Sequence, residues 1–368
     1  MKNSKKSNIL PNIPAFCASV CGQLHLPLFV DIETTGFSGA RNRLCLIGTA
    51  YLQNGSLVTE QFFAESPQEE AALVAAFDHL AAQFETIVTY CGNRFDLPFL
   101  EKCRKRLGIQ SQTNRQKQYI DLYALAHSYR HLFGLANYRQ KTVESFLGIQ
   151  RSDLLDSSEI VTAYESYQKQ PQEHLLAQIL LHNEADLIGM VQLLSLYAFE
   201  RFLQGGFTIE QAGVSAYRKM DGTQGSELCI SCRILEPLPA AFSCKNDLFY
   251  VNAAKNRADF RIPLYSGALK YFYPNYKDYY YFPEEDTAIH KSVARYADPA
   301  HRLKAKAATC YSKKAGMFLP QYEEVITPAF YTEYQAPVSY FEWNEGCAHD
   351  EPLMHYGKHI LQVLKTGK

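Results

Sequence analysis

The 368-residue sequence contains no stretch approaching the roughly 18 consecutive apolar residues that cross a bilayer, so neither a membrane-spanning helix nor a membrane partner is expected. Residues 1–8 are polar and lysine-rich and lack the apolar centre of a signal peptide, which leads us to expect a cytoplasmic chain. Internal repeats and low-complexity segments are missing. An excess of one charge is missing too: 37 Lys and Arg stand against 38 Asp and Glu, a net charge of −1, which excludes a uniformly basic protein. The ten cysteines form no recognisable disulfide or zinc framework. The one Cys-x-x-Cys, Cys229 to Cys232, lies in a strand-like run, where positions i and i+3 face opposite ways and cannot easily share a metal. Cys17 and Cys21 have no second pair. Reduced, partly buried thiols are the expectation.

What is present is more specific. Leu26 to Val30 read as a buried strand, and Asp31 and Glu33 follow at spacing i, i+2, which puts both carboxylates on one face. Two like charges side by side at a strand end are costly unless a cation sits between them. A divalent metal is the simplest neutraliser. The bland alternative, a strand end capping the turn Thr34-Thr35-Gly36, accounts for neither the pairing nor the acids that come later.

The chain is long enough for two ordinary domains. Leu44–Leu52 and Leu57–Ala64 read as strands joined by an Asn54-Gly55 hairpin turn. Pro67 opens a helix to about Phe84, Thr86–Tyr90 is a short strand, and a helix begins near Leu97 with Pro98 at its start. Tyr119–Leu122 is a fifth strand. From Thr142 to Gly205 the pattern is helical, ending in one long helix over 172–203. This order predicts an α/β fold around a mixed five-stranded sheet flanked by helices. Residues 225–282, rich in aromatic and β-branched side chains, predict antiparallel strands. Helices are expected at 288–296 and 351–364. We divide the chain into a lead-in (1–24), an α/β domain (25–204) and a smaller β-rich α+β domain (205–368).

Asp96 stands just past the fourth strand, beside Asn93, and His182 and Asp186 lie one turn apart on the long helix. Strand ends share one edge of such a sheet, and a crossing helix brings Asp186 over it. Four converging carboxylates, Asp31, Glu33, Asp96 and Asp186, suit two Mg²⁺ or Mn²⁺ ions about 3.5–4 Å apart, the arrangement that hydrolyses phosphodiesters. Taken singly, Asp96 is also readable as a helix cap and Asp186 as a solvated helix residue. Asn93 is read as orienting Asp96 or touching substrate, and Asp121 as structural.

Asp31-x-Glu33, Asn93-x-x-Asp96 and His182-x-x-x-Asp186 resemble, in order, the three motifs of the DEDD, or DnaQ-like, exonucleases. Within that superfamily, Tyr119–Leu122, Lys141–Arg151 and His182–Asp186 resemble segments of the bacterial YprB-type ribonuclease H-like proteins. The resemblance covers about residues 26–200. It implies a ribonuclease H-like fold and a two-metal 3′–5′ exonuclease on DNA or RNA, acting on a single-stranded 3′ end. The four acids would be the metal ligands and His182 the base or water-orienting group. One feature departs from the superfamily, which places a Tyr four residues, or a His five residues, before the last Asp. Here the His stands four before.

Substrate contacts are expected from Thr34 and Asn93, and from Lys304 and Lys306 in a segment (251–320) that holds 12 Lys and Arg against 6 Asp and Glu. The stretch 101–118, with Lys102, Arg104, Lys105, Arg106, Arg115 and Lys117, is a second basic patch. The aromatic run Tyr271–Phe282 has two readings: alternation into a β core, which we favour, or stacking on bases. The rival to an enzyme is a non-catalytic module on this fold that holds nucleic acid or protein. A third reading makes the second domain a docking piece for a larger assembly.

Overall fold

The computed structural model describes residues 1–8, 14–110, 117–151, 157–218, 222–344 and 350–368, so Arg115 of the basic stretch lies outside the described residues. The chain divides into two compact units, Met1–Arg130 with Gly134–Tyr197, and His131–Phe133 with Ala198–Lys368. No helix among the described residues is long and apolar enough to cross a membrane.

The first unit is built on β1 (Lys2–Asn8), β2 (Pro27–Thr34), β3 (Leu44–Gln53), β4 (Ser56–Phe63), β5 (Thr86–Thr89) and β6 (Gln118–Asp121), hydrogen-bonded in the order β1-β4-β3-β2-β5-β6. β2, β5 and β6 run parallel, and β1, β3 and β4 pair antiparallel with their neighbours. The mixed sheet thus has six strands rather than the expected five. The addition is β1, from the segment expected to be a lead-in. It has no apolar alternation to betray it. It is an edge strand, held by its backbone ladder to β4 and by lysines that meet acids, Lys5 to Glu60 at 3.4 Å and Lys6 to Glu184 at 2.5 Å.

The helices of the N-terminal half begin with α1 (Ala15–Gln23), α2 (Glu70–Ala81), α3 (Asp96–Leu107), α4 (Leu122–Ser128) and the short α5 (Arg130–Phe133). They continue with α6 (Gln140–Phe146), α7 (Ser157–Lys169), α8 (Glu173–Leu193) and α9 (Leu196–Leu203). The single long helix expected over 172–203 is therefore two, parted at Leu194 and Ser195. Each sheet face is covered. Val30, Ile32, Ile47, Val58 and Phe62 pack with Leu73, Val74, Phe77, Phe99 and Leu100 of α2 and α3. Cys45, Leu46 and Phe63 pack with Ile160, Tyr164, Leu176 and Ile179 of α7 and α8. Burial on both faces explains why β3 reads as a continuous apolar run.

The second unit holds a five-stranded antiparallel sheet of β7 (Phe207–Arg218), β8 (Gln224–Ile234), β9 (Phe242–Lys245), β10 (Tyr250–Ala254) and β11 (Arg257–Pro263). Two three-stranded sheets follow. One joins β12 (Tyr265–Phe272), β16 (Tyr311–Gln321) and β17 (Ser339–Glu342), and the other β13 (Tyr279–Phe282), β14 (Thr287–His290) and β15 (Leu303–Lys304). The helix expected at 288–296 is shorter: β14 takes residues 288–290 and only α10 (Lys291–Ala294) is helical, while α11 (Asp350–Thr366) is the last element. Along the aromatic run, Tyr271 packs on one small core and Tyr273, Tyr279 and Tyr281 on another, as strand alternation requires. Cys232 is buried on β8 and Cys229 is on its other face. The described cysteines are free thiols, and burial pushes Cys17 and Cys232 up to about 12.

Candidate metal centre

Asp31 and Glu33 lie on either side of Ile32 in β2. Because Ile32 packs toward α2 and α3, the two carboxylates point to the opposite face, where α8 crosses. A register shift between Glu33 and Thr34 ends the regular ladder with β3 there. Asp96 is the first residue of α3 and is buried rather than capping the helix. It is delivered by a turn that Asp121 ties down: Oδ1 of Asp121 accepts from the Cys91 amide at 2.8 Å, and Oδ2 accepts from the Asn93 amide at 3.2 Å. Asp121 also caps α4 through the Tyr123 amide, a structural part that serves the site indirectly. His182 and Asp186 come from α8.

The acids repel one another. Burial first, then the charges of Asp186, Glu33 and Asp96, hold the Asp31 carboxyl well above the ordinary carboxylate range, against a hydrogen bond from Asn183. Burial pushes Asp96 up to about 7, with Asp121 and Asp186 adding to it and the amides of Ile32 and Asp96 opposing. The structure brings Glu33, His182 and Asp186 together so that one ligand atom from each lies within 4.8 Å of the others. His182 Nε2 is 3.8 Å from Glu33 Oε1 and 3.4 Å from Asp186 Oδ2, and only 2% of its side chain is exposed. A pocket in which burial and mutual repulsion raise two of its acids is short of positive charge, which is the condition a divalent cation relieves.

Several supporting residues escaped the sequence reading. Asn183, fully buried, donates to Asp31 Oδ2 at 2.7 Å and accepts from Gln61 Nε2 at 2.8 Å. Its amide occupies the space above Gly48 of β3, where a Cβ would stand 1.8 Å from Asn183 Oδ1. Arg151 Nη2 lies 2.8 Å from Asp186 Oδ1, and its Nη1 lies 2.8 Å from Glu144 Oε2. Burial lifts the Glu144 carboxyl above its ordinary range, against the pull of Arg151 and Gln140. Arg151 and Glu144 both fall in the Lys141–Arg151 segment, but nothing in their spacing named Asp186 as a partner.

Of the expected substrate contacts, Thr34 folds its hydroxyl back onto the Gly36 carbonyl at 2.8 Å, and Asn93 is exposed on its turn. Lys304 and Lys306 are exposed residues of the second unit. Phe37, directly after Gly36, is 92% exposed with its ring edge-on to Phe95. The loop bearing it is pinned by Arg106, which donates to the carbonyls of Gly39 (3.2 Å) and Asn42 (3.3 Å) and pairs with buried Glu70 at 2.6 Å.

Residues 28–198 match the model of the RNase H superfamily. The uncharacterized protein YprB of Bacillus subtilis (strain 168) is 30% identical over 169 residues, which make up 45% of this chain and 40% of that protein. The chain therefore spans well under two thirds of its curated relative. Among solved structures, E. coli exonuclease I in complex with a dT13 oligonucleotide is 16% identical with a TM-score of 0.31, over 58% of this chain and 56% of that one. The family B DNA polymerase of Pyrobaculum calidifontis is 15% identical with a TM-score of 0.37, over 67% of this chain and 34% of that one.

Proposed function

We propose that residues 28–198, which match the RNase H superfamily model and form a mixed sheet with flanking helices, are the catalytic domain of a metal-dependent nuclease. It hydrolyses phosphodiester bonds of DNA or RNA, and we assign it to the 3′–5′ exonucleases that act on a single-stranded end. The observation that carries this reading is the cluster itself: Glu33 of β2 and His182 and Asp186 of α8 each bring a ligand atom within 4.8 Å of the others, with Asp31 on the same face of β2 as Glu33. A module that only gripped phosphates would gain nothing from four acids.

Asp31, Glu33, Asp96 and Asp186 are the residues that hold two Mg²⁺ or Mn²⁺ ions. Such ions supply the charge that activates a water and neutralises the phosphate oxygens. His182 Nε2, facing Glu33 and Asp186, takes a proton from the attacking water or orients it. The one-turn spacing on α8 keeps His182 and Asp186 on a common face, so the unusual register of the histidine leaves it in the pocket. Phe37 offers an exposed ring for a terminal base, and Thr34 and Asn93 flank the acids on their turns. Lys304 and Lys306, exposed on the second unit, are proposed to contact phosphates.

Purified protein with Mn²⁺ should degrade labelled single-stranded oligonucleotides of DNA or RNA from the 3′ end, and Asp31→Asn should abolish this. The proposal fails if neither single-stranded nor duplex DNA or RNA is cut, or if Asp31→Asn matches wild type.

A further inference from the structure

Asp186 presents two oxygens, and the structure treats them differently. Oδ2 faces His182 Nε2 at 3.4 Å, on the side of Glu33. Oδ1 is taken by Arg151 Nη2 at 2.8 Å. Arg151 is itself held, because its other arm meets Oε2 of Glu144 at 2.8 Å, and Oε1 of Glu144 accepts from Gln140 Nε2 at 2.8 Å. Gln140 Nε2 also donates to the backbone carbonyl of Asp186 at 2.8 Å, so side chain and main chain of one residue are fixed from the same cluster. Glu144 is fully buried and only 10% of the Arg151 side chain is exposed.

The packing between α6 and α8 makes room for this cluster. Gly189 of α8 stands where a Cβ would lie 1.9 Å from Glu144 Oε1 and 3.0 Å from Gln140 Nε2. A residue with a side chain there would evict the carboxylate that anchors Arg151.

We propose that Arg151 is a positioning residue, held by Glu144 so that its guanidinium claims Oδ1 of Asp186 and leaves Oδ2 for the cation. The inference rests on the nuclease reading for what occupies the site. The planar fork of arginine suits the task, since two parallel arms reach two carboxylates at once, whereas an ammonium is a single point of charge. Without the fork, Asp186 is free to swing away from Asp31 and Glu33, whose charges repel it. Loss of orientation then outweighs any attraction gained by unmasking Oδ1. Partners that orient a metal ligand in this way typically change metal affinity or activity by about 10–100-fold.

The test is Mn²⁺ titration of the full chain, read by electron paramagnetic resonance of free Mn²⁺, with thermal unfolding by circular dichroism beside it. Removing Arg151 alone strands a buried Glu144, so the informative variant is the double substitution Glu144→Met with Arg151→Met. It should fold and bind Mn²⁺ on the order of 10–100-fold more weakly than wild type. Arg151→Lys should also bind Mn²⁺ more weakly, and it carries the comparison if the double variant does not fold. If wild type binds Mn²⁺ and the folded variants match it within about twofold, Arg151 is only structural and this inference is overturned, the nuclease reading standing. If wild type binds no Mn²⁺, the nuclease reading falls and the inference with it.

Discussion

Gly48→Ala tests how the sheet holds the acidic site. The added Cβ would sit 1.8 Å from Asn183 Oδ1 and 2.6 Å from its Cγ, contacts no rotamer shift of a few tenths of an ångström can absorb. Asn183 must leave. Its departure breaks the bond to Asp31 at 2.7 Å and the bond from Gln61 at 2.8 Å, in a place where Asn183 is 0% and Gln61 2% exposed. A buried polar group left without its partner costs about 1–3 kcal/mol, so two such groups cost about 2–6 kcal/mol. Replacing a strand glycine returns roughly 0.5–1 kcal/mol. The net loss is about 1–5 kcal/mol, read as a lower urea midpoint and a melting temperature down by roughly 2–4 °C per kcal/mol for a unit of this size. The decisive measurement is a double-mutant cycle with Asn183→Ala. Once the amide is gone, the methyl added at position 48 has space, so Gly48→Ala should cost almost nothing in that background. An equal cost in both backgrounds would refute the steric reasoning.

Two further outcomes are expected. In chelator, Asp96 sits at about 7, above the ordinary carboxylate value of 3.8 that it takes when unfolded, so the fold favours its protonated form. That contribution is complete below about pH 4 and disappears as pH rises through about 7. The metal-free melting temperature should therefore fall between pH 5 and pH 8, and Asp96→Asn should flatten the decline; an unchanged slope in the variant would exclude Asp96 as its source. Phe37→Ala should leave stability within about 0.5 kcal/mol, because the ring is 92% exposed, yet lower kcat/KM on single strands by roughly 5–150-fold, the 1–3 kcal/mol of one base stack. Unchanged kinetics would remove Phe37 from the substrate path.

The placement of the candidate site's side chains was legible in the sequence wherever a simple period linked residue to partner. Spacing two on a strand puts Asp31 and Glu33 on one face, and spacing four on a helix does the same for His182 and Asp186. Asp96 was readable from its place just past a strand. Interactions between distant segments left no such period. Nothing in the sequence around Gly48 shows that it stands under Asn183, and Arg151 could not be paired with Asp186 until α6 and α8 were seen to pack. β1 escaped for a related reason: its partner strand supplies the backbone ladder, and its lysines read as a solvated tail. The strand at Thr287–His290 was missed because local propensity favoured a helix there, and pairing with β13 decided otherwise.

The stretch His182 to Asp186 also bears on how this domain can change. Within it, His182 looks at Glu33, Asn183 at Asp31 and Gln61, Glu184 at Thr59 and Lys6, and Asp186 at Arg151. Four side chains in five positions are assigned to six different residues around α8. One inserted or deleted residue rolls everything beyond it by about 100°, which would misdirect all of these assignments together. Single substitutions here lose one contact each, but a change of length has no partial outcome. An insertion or deletion between His182 and Asp186 is therefore expected to disable the site, whereas one beyond the ends of α8 leaves the phase of these five positions unchanged.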